Sequence, residues 1–505
     1  MWYHSKMIVS NSAKLKQLIV SGWGYVALLA LATTLLLLNL TTYPQPWFDE
    51  GYFLSVAKML AQYGLYALPD SDGPWVMDQS ITSGPVLIVP IALVFQHLGV
   101  GVLQGRLVAV ALGLLTFAAY ALLARRLVGG AAIGALLLLL AGTPEPFTSF
   151  VMMARQAIGE VTALGLCIYG IWLWLRAFDL GRPSWWRLAC AGAALGLAIV
   201  AKPQMIIGVP AALALACLAD RCYYRQATWR AFIIPAVVTV GCVTAWYIAQ
   251  IAIVGLDAFR AKSAILRAGL INNIVSFDPT HLKNAVGALW RSGFFVWGLP
   301  GLLYGCRLAR SRTRTGLAHA WVLALVLVWL GWFVLLSIGW ARYSFLIIAL
   351  APIWSARLAC DILRRLAGAQ RIAAAIGLAA LLLANSRPIL VGVFGAQDRS
   401  AAEFSNYLRA KVPPDAIVEN WEWNLDATAP QRFHHPPPLV MYEVIDVIQR
   451  GGRPRSDIYA PDVARPDYVV DGPFSSWTGI YHRYITAHGR LVVKVGPYAL
   501  YRVIR

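Results

Sequence analysis

The sequence predicts an all-α polytopic membrane bundle of about 11–13 transmembrane helices with a small C-terminal α/β soluble domain. Three observations carry that expectation. Of 505 residues, 59% are hydrophobic and only 13% charged, and the mean hydropathy is +0.62, whereas soluble domains carry about 25% charged residues. The apolar residues gather in long runs, among them 26–40, 131–141, 322–336 and 372–384, and a bilayer core needs about 20 mostly apolar residues per helix. From about residue 394 the character changes, with Pro, Asp and His becoming common.

The net charge of +19 does not point to nucleic acid. Its basic residues lie in short clusters between apolar runs, as expected of cytoplasmic loops, and no basic stripe alternates with exposed aromatics. The seven cysteines (Cys167, Cys190, Cys217, Cys222, Cys242, Cys306, Cys360) sit in or beside apolar runs, so neither a disulfide framework nor a zinc-type pair is visible. The basic start of the chain is followed by a run without a small-residue cleavage site, which reads as a retained first span.

Charge sets the expected topology. Lys6, Lys14 and Lys16 assign residues 1–21 to the cytoplasm, and the span 22–42 carries the chain out. The first outer loop, 43–81, is acidic: Asp49, Glu50, Asp70, Asp72 and Asp78 against Lys58. Arg125–Arg126 and the basic stretches 176–187, 221–230, 307–314 and 357–371 read as cytoplasmic. Short outer turns fall near 144–155, 202–203 and 339–342, and a longer outer loop spans 255–290. The last span, 372–390, closes a membrane domain of residues 22–393 and leaves the tail 394–505 outside. This is the layout of a multi-pass protein of the inner (plasma) membrane with a periplasmic or extracytoplasmic tail. One step does not close: an odd number of crossings is required before Arg125–Arg126, yet two apolar segments, 82–98 and 107–123, are present. Either the first, with Pro85 and Pro90, is re-entrant, or the arginines break the rule. In the tail, 416–419, 468–470 and 491–495 read as strands and 400–411 as a helix.

The chemistry is expected where charged residues share the outer side. Asp49, Glu50, Asp78, Glu145, Arg155, Glu160, Lys202, Arg342 and Tyr343 all map there. A charge at a helix centre costs roughly 2.5–3.5 kcal/mol, so such residues usually line a cavity. Residues 51–63 have helical apolar spacing and predict an amphipathic helix on the membrane surface. Asp49 is then either that helix's N-cap or, with Glu50 and Asp78, part of a site. Lys202-Pro203 is either a turn with a snorkelling lysine or a cation for a lipid phosphate. Arg342-Tyr343 favours the latter, since arginine binds phosphate oxygens bidentately. Arg155 and Glu160 form either an ion pair or further lining. His281 reads as a loop residue and His434-His435 as a turn before three prolines; no H-E-x-x-H, Walker A or G-x-S-x-G pattern occurs.

In this order the motifs resemble the GT-C superfamily of lipid-linked-sugar glycosyltransferases, near the protein O-mannosyltransferases and the lipid A aminoarabinose transferases. The resemblance rests on Asp49-Glu50 after the first span, Asp78 to Pro85 where the loop re-enters, Arg106, Arg155 with Glu160, Lys202, Ala341-Arg342-Tyr343-Ser344, and the tail stretches 412–415 and 466–468. One departure stands out: the family's lysine–proline–proline is here Thr82-Ser83-Gly84-Pro85. The resemblance implies a polyprenyl-phosphate sugar donor with its tail among the helices and membrane lipid, and an acceptor glycan, lipid or protein hydroxyl. It implies Asp49 as the base, with Glu50 or Asp78 orienting the acceptor or a divalent metal, and an inverting transfer. Lys202, Arg342, Tyr343 and Arg155 would hold the donor phosphate, with Arg106, Glu145 and Glu160 bracing or lining the site. The rival class is a transporter or lipid-linked-sugar flippase, for which internal repeats would be expected; none is apparent. Acceptor choice is expected in the 255–290 loop and the tail.

Overall fold

The structure, a computed structural model, describes residues 22–179, 183–275, 277–395, 397–454 and 457–504. Lys6, Lys14 and Lys16 lie outside the described residues. Helix α1 is Gly22–Leu37. It is followed by α2 (Phe48–Tyr63), the short strands β1 (Ala67–Leu68) and β2 (Trp75–Val76), α3 (Pro85–Leu98), α4 (Val102–Val128), α5 (Ala132–Ala141) and α6 (Phe150–Ala154). Next come α7 (Gly159–Arg176), α8 (Trp185–Ala201), α9 (Met205–Ala219), α10 (Arg230–Val254), α11 (Leu256–Ile274) and α12 (Pro279–Arg291). The bundle ends with α13 (Leu299–Ala309), α14 (Arg314–Leu335), α15 (Phe345–Leu350), α16 (Pro352–Arg365) and α17 (Gly368–Phe394).

Among the described residues, five helices are long and apolar enough to cross a membrane, six if the bent pair Ala341–Leu350 and Pro352–Arg365 is one span. The remaining crossings expected from the sequence therefore draw on shorter apolar helices, including Gly22–Leu37, Trp185–Ala201 and Phe294–Ala309. The 40-residue stretch Val102–Ala141 is itself two helices, α4 and α5, joined at Gly129 with φ 59°; only glycine adopts that backbone without strain.

The unclosed step in the topology has a structural answer. Gly84, at the start of α3, donates to Ala201 O at the end of α8 (3.1 Å), and Gln96 near the other end reaches Ala61 O of α2 (3.3 Å). α4 begins at once, with Arg106 against Glu50 of α2. α3 is thus tied at one end to the end of α8 and at the other to α2, and its 14 residues span about 21 Å, as expected of a re-entrant segment. α4 then runs 27 residues to Arg125–Arg126 in its last turn. At that far end Arg126 pairs with Asp179 (2.5 Å), Tyr223 donates to Arg310 O (2.7 Å) and Arg357 to Val128 O (3.5 Å). The basic stretches separated in sequence meet there.

The opposite end carries the C-terminal domain. It comprises α18 (Ser400–Lys411), β3 (Ile417–Glu419), β4 (Arg432–His434), α19 (Pro438–Gln449), β5 (Tyr468–Asp471), α20 (Pro473–Thr478), α21 (His482–His488), β6 (Gly489–Val495) and β7 (Tyr498–Val503). Its sheet runs β4-β3-β5-β7-β6, with β3 parallel to both neighbours and the β5, β7 and β6 pairings antiparallel. Phe404 and Leu408 of α18 pack with Val418, Val470 and Leu500 in a small core of their own. Trp421, Trp423 and Phe474 instead join the large core of the bundle. The expected loop 255–290 is mostly helical, as α11 and α12.

α2 corrects the expectation of a helix on an open membrane surface. Its residues Glu50 to Ala57 are buried, because the C-terminal domain lies on it: Phe48 stacks on Phe474 (4.0 Å) and Tyr52 meets Trp423 (4.9 Å) edge-on. A Cβ on Gly51 would fall 2.1 Å from Asn424 N.

Small residues set the helix spacing. A Cβ at Gly192 would lie 2.5 Å from Pro235 O, and one at Gly196 2.6 Å from Cys242 Cβ, so α8 and α10 touch backbone to backbone across a small-xxx-small face. Thr239 adds a hydrogen bond to Gly192 O (3.0 Å). Gly196→Val should cost about 1–3 kcal/mol through overpacking, seen as a lower melting temperature in detergent. Gly241→Ala, which meets nothing within 4 Å, should leave it unchanged.

Candidate active site

The site is assembled at the junction of α1, α2, α4 and the segment before α7. Arg155, fully buried, donates from Nε to Tyr43 O (2.9 Å), from Nη2 to Leu38 O (2.6 Å) and from Nη1 to Leu35 O. It caps the carbonyl end of α1, where a cation is favoured by the helix dipole. Arg155 was expected on a phosphate or paired with Glu160; here its Nε, Nη1 and Nη2 each donate to a backbone carbonyl.

α2 begins at Phe48 and places Asp49 and Glu50 in its first turn, where the unpaired N–H groups favour carboxylates. Successive helix residues point about 100° apart, so the two carboxylates diverge. Glu50 turns inward. Arg106 Nε and Nη2 grip its Oε1 and Oε2 at 2.8 and 2.5 Å, with both side chains 0% exposed. Ala157 N donates to Oε1 (3.1 Å), and Arg106 Nη1 donates to Leu40 O (2.5 Å). Glu50 was expected to take a catalytic part; its contacts among the described residues brace the junction.

Asp49 points the other way. Its Oδ2 accepts from Arg342 Nη1 (2.5 Å) and Trp47 Nε1 (2.9 Å). Burial alone would raise its carboxyl pKa, but the charges of Arg342 and Lys202 and the indole N–H hold it below the ordinary carboxylate value. The Arg342 guanidinium lies over Trp340 at 4.9 Å and against Tyr343 at 5.7 Å; its Nε, buried, has no hydrogen-bond partner among the described residues. Tyr343 is anchored by Trp329, whose Nε1 donates to its carbonyl (2.6 Å). Lys202, the C-cap of α8, pairs with Glu160 (2.9 Å) and sits over the Phe53 ring at 5.7 Å. The sequence pairing of Arg155 with Glu160 is thus replaced by Lys202 with Glu160.

Connected spaces surround these charges. A cavity of about 480 Å³ is bordered by Trp47, Asp49, Gln156, Trp340, Arg342 and Trp477. One of about 80 Å³ reaches from Asp49 and Arg342 to Thr82, Gln204 and Tyr442. Thr82 and Gln204 also border a third, of about 240 Å³, walled by Ile199, Ile207, Val243 and Trp246. Glu160, Lys202, Arg342 and Tyr343 share a narrow space beside them. The Asp49–Arg342 pair is common to the first two cavities.

Two expected members stand apart. Asp78 borders the third cavity but not the spaces at Asp49, and its Oδ1 is taken by the N–H (2.8 Å) and hydroxyl of Ser80. Glu145 pairs with Arg291 (3.1 Å). Sequence reading missed Trp47, Trp340, Gln204 and Tyr442. The two tryptophans lie within expected outer segments, 43–81 and 339–342, a usable signal; Tyr442 lies in the tail and carried none.

The geometry predicts separate behaviour for the adjacent carboxylates. Glu50→Gln should leave Arg106 buried and unpaired, costing roughly 3–5 kcal/mol, and appear as loss of folded protein on size exclusion. Asp49→Asn should elute and melt as the parent does.

Comparison with known proteins bears on the fold. Residues 82–258 match the sequence model of the dolichyl-phosphate-mannose-protein mannosyltransferase family. No curated protein sequence matches the chain. Among solved structures, ArnT from Cupriavidus metallidurans bound to undecaprenyl phosphate superposes with a TM-score of 0.66 at 16% identity, over 95% of this chain and 98% of that one. The archaeal oligosaccharyltransferase AglB from Archaeoglobus fulgidus, in complex with an inhibitory peptide and a dolichol-phosphate, gives 0.58 at 12% identity, over 96% and 74%. The chain accordingly has the fold of ArnT and AglB, with several helices apolar and long enough to cross a membrane, and its residues 82–258 match the mannosyltransferase family model.

Proposed function

We propose that this protein transfers a sugar from a polyprenyl-phosphate donor to an acceptor hydroxyl, at the extracytoplasmic face of the membrane and with inversion. The observation that carries the reading is the Asp49–Arg342 pair, shared by two adjoining cavities, with Lys202 and Glu160 beside it. Orientation is supported by the gathering of basic loops at the bundle end away from Asp49.

An ionised carboxylate within reach of a hydroxyl can take its proton as the oxygen attacks the anomeric carbon. The bond from that carbon to the phosphate oxygen breaks, and the electron pair leaves with the lipid phosphate. One base and no covalent intermediate give inversion through an oxocarbenium-like transition state. Arg342 links the two halves of the reaction. Its bond to Asp49 keeps the carboxylate ionised, and its unpartnered Nε is a donor for phosphate. As a phosphate draws the guanidinium, Asp49 gains basicity where the hydroxyl arrives. Lys202 supplies a second positive charge, exchanging Glu160 for phosphate oxygen. The apolar cavity walled by Ile199, Ile207, Val243 and Trp246 suits the first isoprene units.

The direct test incubates the protein in lipid with radiolabelled polyprenyl-phosphate sugars and cell-envelope extract. Asp49→Asn should lower transfer by roughly 10²–10⁴-fold; near-parental activity in a folded variant would remove Asp49 as the base. Lys202→Ala should cost about 2.7–4 kcal/mol in the rate, as for other lost charge-stabilising donors.

A pH series separates the roles of Arg342. Asp49 is the working base only when ionised, so activity falls as pH drops through its pKa, which lies below the ordinary carboxylate value. Arg342→Gln removes the leading charge that lowers it, so the acid limb of kcat/KM should move to higher pH while the rate falls. An unmoved limb would separate Asp49's titration from the rate.

A further inference from the structure

Away from Asp49, the segment between β1 and β2 meets the C-terminal domain a second time. Asp70 and Asp72 lie there against His434 of β4, with one ligand-type atom from each within 4.8 Å of the others. None of the three borders the cavities around Asp49. We propose that Asp70, Asp72 and His434 bind one divalent transition-metal ion of the zinc class, which clasps the β1–β2 turn to the C-terminal domain.

The histidine carries the argument. His434 is buried, and its Nδ1 lies 2.7 Å from Glu419 Oε2. Glu419 is itself fully buried and held by the hydroxyls of Tyr459 (3.0 Å) and Tyr481 (2.8 Å). A carboxylate on one ring nitrogen is how metal-binding histidines are oriented: it keeps the proton on that nitrogen and turns the other's lone pair to the ion. Here the other nitrogen, Nε2, faces Asp72 Oδ2 at 3.7 Å, too far for a hydrogen bond. The His434 side chain is only 8% exposed, and the ligand-type atoms gathered with its ring are those of two carboxylates. A lone pair facing two carboxylates is an electrostatic mismatch that a cation removes.

The carboxylates are placed to take part. Asp70 is fixed by His435 N on Oδ1 (2.9 Å) and by Asp72 N on Oδ2 (3.3 Å). The Asp72 side chain is 66% exposed, so rotation alone can bring its oxygen in. Ligands on one tetrahedral ion at about 2.1 Å lie roughly 3.4 Å apart, a modest closure from the present spacing. Imidazole with two carboxylates suits zinc-class ions, whereas calcium and magnesium prefer all-oxygen shells. Gly73 has φ 127°, a conformation reserved to glycine that turns the chain at this point. Arg432 Nη2 on Ser71 O (3.3 Å) already ties the same two segments.

The competing occupant is a proton. Burial lowers the His434 pKa, but Glu419, Asp70 and Asp72 together raise it above the ordinary value, so the same field would favour an imidazolium ion. The two are told apart by metal binding to the full-length chain in detergent, stripped with a chelator and titrated with Zn²⁺ or Ca²⁺ alone. The parent should retain one Zn²⁺ per chain that Asp72→Asn, at an exposed position, binds at least tenfold more weakly. Glu419→Gln should weaken it by roughly 10–100-fold. Zn²⁺ should raise the melting temperature of the parent and not of Asp72→Asn. Equal Zn²⁺ binding by parent and Asp72→Asn would overturn the site and leave a protonated His434 paired with Asp72. Ca²⁺ bound as tightly as Zn²⁺ would overturn the assigned metal class.

Discussion

Glu50 and Arg106 are both sealed from water, and neither could be buried alone. Taking either ion out of water costs several kcal/mol, recovered only when the partner is present and the remaining donors and acceptors are filled. Here they are filled: Leu40 O and Ala157 N complete the set. One buried pair therefore fixes four segments at once, namely the end of α1, the first turn of α2, the start of α4 and the approach to α7. Asp49 is the next residue along a helix whose orientation is already set. Its direction toward Arg342 follows from the helical turn, so the reacting carboxylate proposed here is placed by a neighbour that takes no part in the chemistry.

Three arginines at this end of the bundle differ in how many donors they have left. Arg106 and Arg155 spend theirs on buried protein acceptors, and arginine so bound is a brace. Arg342 gives one bond to Asp49 and rests its face on Trp340 and Tyr343. Stacking of this kind holds a guanidinium in place without consuming its in-plane N–H groups. A phosphate needs such a cation, fixed in position yet unsaturated. The count of spare donors, more than burial or sequence context, separates the two kinds of arginine.

Much of the fold was legible because membrane burial writes itself into composition. The apolar runs, the basic stretches that meet at one end and the acidic segment after the first span follow from the cost of charge in lipid. The gathering of Asp49, Glu160, Lys202, Arg342 and Tyr343 at one end was legible for the same reason. Their pairing was not. Glu50 with Arg106 and Asp49 with Arg342 are separated by 56 and 293 positions, and adjacency made Asp49-Glu50 look like one unit when the helix turns them apart. α2 was misjudged because helical spacing of apolar residues does not say how many faces are covered. β4 is only three residues, Arg432–His434, too short for alternation to show, and so the approach of His434 to Asp70 and Asp72 could not be anticipated.

The C-terminal domain is more than a cap. Gly51 accepts the backbone of Asn424 at a distance no side chain allows, so domain and α2 are packed as one core and not as two surfaces in passing contact. Met441, Tyr442 and Ile445 of α19, with Phe474, wall the same cavity as Asp49 and Arg342, and α11 packs against α19. The tail, from which acceptor choice was expected, therefore walls the proposed reaction centre, and the 255–290 segment packs against its helix α19. Under that proposal the bundle holds the donor, α2 holds the base, and the α19 wall decides which hydroxyl can approach. A change in acceptor would then need substitutions only in that wall, leaving the buried pair and the Asp49–Arg342 bond intact.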